Sequence, residues 1–222
     1  VSDGAPDTPS AASGGRVRVG VLALQGAFRE HAQALRRVGA EAVEVRRPAQ
    51  LAGLDGLIIP GGESSTMAKL MLAYGFDSAI PAFSRDGGRV WGTCAGAIAV
   101  ATVIEGRPEQ LRFALLDISV ARNAYGRQVA SFEAEFAVAG WSEPFRALFI
   151  RAPMITSVGP ESEVVAVYDG EAVAVANGST LATVFHPELT GDDRWHSAFV
   201  AWCERASAAR ARGVANVETR FQ

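Results

Sequence analysis

Short apolar runs alternate with amphipathic stripes through the first half of this chain. Val17 to Leu24 is a β-rich run whose continuous apolar end predicts a strand buried on both faces. Gln25-Gly26 ends it. Phe28, Ala32, Leu35 and Val38 then recur at helical spacing as far as Gly39, which predicts an amphipathic helix with a glycine stop. Ala42 to Arg46 and Leu57 to Ile59 predict two more strands, the second halted by Pro60-Gly61-Gly62. Ser64 or Ser65 is the expected cap of a helix running towards Tyr74 and closed by Gly75. Arg89 to Thr93 predicts a fourth strand, with a helix over Ala95 to Val103 behind it. Strand–helix alternation of this kind predicts an α/β fold with a mostly parallel sheet.

The second half is patterned differently. Leu116–Val120, Glu133–Val138, Ala147–Arg151, Val164–Tyr168, Ala172–Ala176 and Leu181–Phe185 are strand-like and follow one another through turns. Asp169-Gly170 and Asn177-Gly178 are hairpin signals. These strands predict an antiparallel extension of the same domain. A last amphipathic helix is expected over Asp193 to Arg212, with Trp195, Phe199, Trp202 and Cys203 on its inner stripe. Residues 1–16 are small and polar and are expected to form a flexible tail. Residues 17–206 then make a single domain, and residues 207–222 the end of the helix and a frayed terminus.

Composition narrows the function. The chain has 222 residues, 49% of them apolar and 20% charged, enough to build a core without disulfide or metal staples. A net charge of −3 excludes the basic balance that nucleic-acid binding requires. No apolar run is long enough to suggest a membrane span, and no hydrophobic signal segment precedes the first strand. A cytoplasmic protein with two free thiols is the expectation.

Candidate chemistry concentrates at Gly92-Thr93-Cys94-Ala95-Gly96, which leaves a buried strand and opens a helix. This is the setting of a nucleophile elbow, with cysteine in the nucleophile position. The turn is so sharp that its neighbours must lack bulk, which Gly92 and Gly96 satisfy. Cys203, on an inner helical stripe, reads as core. A cysteine nucleophile needs a base, and the chain has three histidines. His31 reads as a face residue of the first helix, and His196 lies among polar neighbours on the last. His186 ends a strand and is followed by Pro187 and Glu188. Pro187 holds His186 extended, so Glu188 would share its face and orient the imidazole. Pro60-Gly61-Gly62-Glu63-Ser64-Ser65 supplies a glycine loop whose backbone N–H groups can approach a developing oxyanion.

Taken in this order, Pro60-Gly61-Gly62-Glu63-Ser64, Gly92-Thr93-Cys94-Ala95-Gly96 and His186-Pro187-Glu188 resemble the class I, triad-type glutamine amidotransferases. Further blocks narrow the resemblance to the glutaminase subunits of pyridoxal 5′-phosphate synthases. They are Leu24-Gln25-Gly26-Ala27 with Glu30-His31, Arg122-Asn123-Ala124-Tyr125-Gly126-Arg127-Gln128, Phe149-Ile150-Arg151-Ala152-Pro153 and His186-Pro187-Glu188-Leu189-Thr190.

The resemblance implies a flavodoxin-like, three-layer fold. It also implies hydrolysis of L-glutamine to glutamate and ammonia through a γ-glutamyl thioester on Cys94, with His186 as base and acid and Glu188 orienting it. Gly61, Gly62 and Ala95 would supply oxyanion-side backbone. Glu63, Ser64, Arg122, Ile150 and Arg151 would bind glutamine together with the two glycines. The implied partner is a separate synthase subunit, a (β/α)₈ barrel that receives the ammonia and activates the glutaminase on docking; no cofactor or metal is implied. Gln25 would sit beside the site, and His31 would have no triad role. The sequence departs from the family at Ala97, where a larger apolar residue is usual, and in an arginine-rich segment over Gly106 to Phe113. A glutaminase serving another synthase, such as one for imidazole glycerol phosphate, and a non-catalytic docking protein on the same fold are the alternatives.

Overall fold

The computed structural model of the chain describes residues 16–122, 131–212 and 221. In chain order the elements are β1 (Arg18–Leu22), α1 (Phe28–Arg37), β2 (Glu41–Val45), β3 (Gly56–Ile59), α2 (Ser64–Ala73), α3 (Phe76–Arg85), β4 (Arg89–Thr93), α4 (Ala95–Val100) and β5 (Ala101–Ile104). There follow β6 (Leu116–Ala121), β7 (Ser131–Phe136), β8 (Phe145–Ile150), β9 (Met154–Val158), β10 (Glu163–Tyr168), β11 (Glu171–Ala176), β12 (Thr180–Thr183) and α5 (Arg194–Ala211).

Seven strands make the principal sheet, in the order β10-β11-β12-β4-β3-β1-β2. The five from β12 to β2 are parallel, and β10 and β11 extend the sheet antiparallel. β3, β4 and β12 are buried at every position, as interior strands of a parallel sheet are; β3 is apolar throughout, whereas β4 and β12 also bury Arg89, Thr93, Thr180 and Thr183. The step from β1 to β2 runs opposite to the step from β3 to β4. Right-handed crossovers therefore place α1 on one face and α2 and α3 on the other. α5 joins α1, and α4 joins α2. Trp91, Trp195, Trp202, Phe145, Phe185 and Phe199 are fully buried on this scaffold. Smaller sheets of β5-β6-β9 and β7-β8 complete the chain.

Several expectations are corrected. Helix α4 stops at Val100, where Ala101 turns extended and Ala101–Ile104 pairs with β6; strand pairing overrides the helix propensity of the alanines. α3 has no counterpart in the sequence reading because Pro81 lies inside it and disguises the Phe76, Ile80 and Ser84 stripe. β9 has no counterpart in the sequence reading either, because the adjacent exposed residues Thr156 and Ser157 break the alternation of a half-buried strand. The strand before His186 is central and parallel to β4, not part of the antiparallel extension. Both hairpin signals do turn the chain. Asp169 and Gly170 adopt positive φ between β10 and β11, and Asn177 Oδ1 accepts from the N–H groups of Ser179 and Thr180 between β11 and β12. The Arg210 guanidinium donates to the Gly87 carbonyl, and Phe221 packs against Trp195 and Trp202. Residues 1–15, where the flexible tail was expected, lie outside the described residues.

Candidate active site

The carboxyl ends of four parallel strands converge. Gln25 follows β1, Gly61 to Ser64 follow β3, Cys94 follows β4 and His186 follows β12. The order β2-β1-β3 makes this the switch point of the sheet, where the chain leaves in opposite directions and a crevice opens.

Cys94 occupies the step from β4 to α4 with φ 49° and ψ −105°, a backbone conformation that costs an L-residue of order 1–3 kcal/mol. The flanking glycines are sterically required. A Cβ on Gly92 would lie 2.3 Å from the Gly96 carbonyl oxygen, and one on Gly96 would lie 1.9 Å from that of Ile59. The Cys94 N–H donates to the Thr183 carbonyl at 2.8 Å, which ties the elbow to β12. Its sulfur faces the Ile150 carbonyl at 3.8 Å, and the cysteine lies close enough to the His186 ring to raise its pKa.

His186 is 7% exposed, and its N–H donates to the Leu148 carbonyl. Its Nδ1 lies 2.7 Å from Glu188 Oε1. Glu188 reaches it from a 3₁₀ turn over Pro187–Leu189, not from the extended segment expected, so the contact is made across one tight turn. Burial alone would depress the His186 pKa. The Cys94 and Glu188 partners outweigh it and push the ring up to about 10. Burial likewise opposes ionisation of Glu188, yet His31 and His186 hold its carboxyl below the ordinary range.

The glycine loop is braced from β1. The Gly61 carbonyl accepts from the Ala27 N–H at 3.2 Å, and Gln25 Oε1 accepts from the Glu63 N–H at 3.0 Å. With every described peptide trans, the Gly62 N–H points away from Ala27. Gly61 lies under the His186 ring, where a Cβ would meet Cε1 at 2.4 Å. Glu63, not Ser64 or Ser65, caps α2, accepting from the N–H groups of Ser65 at 3.0 Å and Thr66 at 2.6 Å. Those bonds, Thr66 foremost, lower its carboxyl to about 2. Ser64 is buried at the start of α2.

A cavity of about 440 Å³ is lined by Cys94, Ala95, His186, Gly62, Glu63, Ser64, Arg122, Ile150 and Arg151, together with Gln25, Ile98 and Pro153. Arg122 donates to Ser65 Oγ at 3.1 Å and Gln110 Oε1 at 2.9 Å, and its guanidinium lies 3.5 Å from Glu63 Oε1. The arginine-rich segment before β6 thus supports the wall through Gln110, while Arg112 donates to the Thr102 and Pro108 carbonyls. Arg151 has φ 46°, a second strained residue at the cavity. Asn123 to Gln128 lie outside the described residues. Among the described residues no group of three or more metal-ligating side chains is present.

Sequence reasoning missed the two other histidines. His31 and His196 are fully buried, with His31 Nδ1 2.9 Å from His196 Nε2 and His31 Nε2 3.3 Å from Glu188 Oε2. The available signal was weak: His31 falls one residue before Ala32 of the buried stripe, and His196 adjoins Trp195.

A strained cysteine at a strand-to-helix elbow stands beside a His–Glu couple beyond the neighbouring parallel strand, on a fold and in a family that are those of the glutamine amidotransferases. A solved structure described as a glutamine amidotransferase superposes with a TM-score of 0.81 at 48% identity, covering 84% of this chain and 98% of its own. The SNO glutamine amidotransferase family model matches residues 21–205, and the chain belongs to that family. Relatives include the pyridoxal 5′-phosphate synthase subunit PdxT of Niallia circulans, 52% identical over 83% of this chain and 96% of that protein. The PdxT subunit of Deinococcus radiodurans is 53% identical over 82% and 95%.

Proposed function

We propose that this chain is the glutaminase subunit of a pyridoxal 5′-phosphate synthase, hydrolysing L-glutamine to L-glutamate and ammonia. The observation that carries the reading is Cys94, held in a strained conformation against the His186–Glu188 pair at the wall of a cavity of amino-acid size. With its thiol proton passed to His186, Cys94 Sγ attacks the carboxamide carbon of glutamine, and the carbonyl π pair moves onto the oxygen to give an oxyanion. The Gly62 and Ala95 N–H groups, with the Gly61 backbone beside them, stabilise that charge. His186 gives its proton to the departing nitrogen; the C–N bond breaks, ammonia leaves and a γ-glutamyl thioester remains. Water then attacks the thioester, His186 takes its proton, the C–S bond breaks and glutamate is released.

Arg122 and Arg151 suit the α-carboxylate of glutamine, since a guanidinium fork pairs with a carboxylate in two places. Ile150 supplies carbonyl and apolar wall. Glu63 acts on the substrate side chiefly through Arg122, because its carboxylate is engaged in capping α2. The ammonia passes to a synthase subunit that builds pyridoxal 5′-phosphate, a partner supported by the PdxT relatives. No helix among the described residues is long and apolar enough to cross a membrane, which accords with a cytoplasmic setting.

The test is glutamate release from glutamine by the full chain, alone and with the synthase subunit, beside Cys94→Ala. Release that rises with the partner and vanishes in the variant is expected. No release from wild type with a competent partner would overturn the reading in favour of a docking protein.

A further inference from the structure

We propose that His31 is a positioning residue for Glu188, donating from Nε2 to the carboxylate oxygen that His186 leaves free and so extending the Cys94–His186–Glu188 line into the protein interior. The proposal deepens the glutaminase reading and rests on it.

Glu188 is buried, and its Oε1 is taken by His186 at 2.7 Å. Its Oε2 makes no hydrogen bond among the described residues; His31 Nε2 lies 3.3 Å from it, within reach, but is directed at Thr93 Oγ1 and would have to tilt to serve both. A buried carboxylate oxygen needs a donor to stay ionised. The same Nε2 lies 3.1 Å from Thr93 Oγ1, so one N–H can be shared between the two oxygens. With Nε2 protonated, His31 Nδ1 must accept, and the donor available is His196 Nε2 at 2.9 Å. Every proton in the chain then points towards Glu188. The opposite tautomer would set the lone pairs of Nε2 and Oε2 against each other. His196 Nδ1, at the far end, has no partner among the described residues, as expected of the terminal acceptor.

Burial lowers the pKa of both rings, so His31 donates as a neutral imidazole and leaves the negative charge of Glu188 available to His186. The charged and titratable groups around this line are Glu30 and Arg37 on α1, His196 on α5, and His186 and Cys94 across Glu188.

The variants His31→Leu, His31→Gln and His31→Asn separate the contacts. Gln can place an amide N–H where Nε2 stood, whereas Asn reaches only the Nδ1 position and His196. Two readouts apply to the full chain: the pH dependence of Cys94 alkylation by iodoacetamide, followed on its own peptide, and glutamine hydrolysis with the synthase subunit bound. His31→Leu should move the acid limb of the alkylation profile up by about one pH unit and lower kcat about tenfold, one interaction expressed in two ways, with KM within about twofold. Gln should restore both and Asn neither. Alkylation profiles of Leu and Asn superimposable on wild type, or rescue by Asn as complete as by Gln, would overturn the proposal. If Leu fails to fold, as circular dichroism would reveal, the Gln–Asn contrast decides. Absence of glutamate release from wild type would count against the glutaminase reading, while the alkylation profiles would still decide the role of His31.

Discussion

Cys94 shows how few residues set the reactive geometry. Its backbone conformation holds only because Gly92 and Gly96 leave room for main-chain oxygens at distances a Cβ could not tolerate. Gly96→Ala would drive a methyl into the Ile59 carbonyl, which belongs to a buried strand that cannot yield cheaply. We expect that substitution to destabilise the fold by about 1–3 kcal/mol and to abolish glutamate release, checked by urea melts and the hydrolysis assay. A variant of wild-type stability and activity would show the elbow to be looser than its contacts indicate. The pair Gly92 and Gly96 was legible in the sequence because a steric demand of this kind acts over a few residues. The contact between His186 and Glu188 was legible in its partners, though not in its form: a 3₁₀ turn, and not an extended segment, brings the carboxylate round.

At the scale of elements, turns and caps aim the strands at the site. The Asn177 side chain binds the N–H groups of Ser179 and Thr180 and donates to the Leu115 carbonyl, setting where β12 begins. Asn177→Ala should cost about 1–3 kcal/mol, three bonds at roughly 1 kcal/mol each with partial rescue by water. It should also speed amide exchange over Thr180 to Thr183, the strand that leads to His186. Helix α2 is capped by Glu63, an acid whose exposure leaves its net worth small. Glu63→Gln should shift stability by less than about 1 kcal/mol but raise KM for glutamine, because Arg122 loses an anchoring carboxylate. An unchanged KM would detach Glu63 from the substrate. Strand β5 and helix α3 were illegible for one reason: propensity and Pro81 pointed away from conformations that only pairing with β6 and packing of Phe76 and Ile80 stabilise.

Across the whole molecule, two histidines buried without charge make stability depend on pH. Unfolded, each ring takes up a proton near the ordinary value of 6.5, whereas in the fold both values lie lower. The unfolded state therefore binds more protons as pH falls through 6.5. Each ring then removes about 1.4 kcal/mol of stability per pH unit until its folded value is reached. Glu188, whose folded value is depressed, adds to the loss once pH falls below the ordinary carboxylate range. Thermal melts of wild type should thus show Tm falling below pH 6.5, and His196→Phe should make that acid slope shallower. Equal slopes would mean that His196 is protonated in the native state.

The sequence by itself determined the α/β class, the elbow around Cys94, the glycine loop and the pairing of His186 with Glu188. Each depends on local sterics or on short-range periodicity, which neighbouring residues encode. Only the tertiary structure decided that β12 lies parallel to β4, that Gln25 braces Glu63 across two strands, and that His31 and His196 stand in line behind Glu188. Those relations join residues 38 to 165 positions apart. They arise from the order of strands in the sheet and from the packing of α1 against α5, which no local pattern specifies.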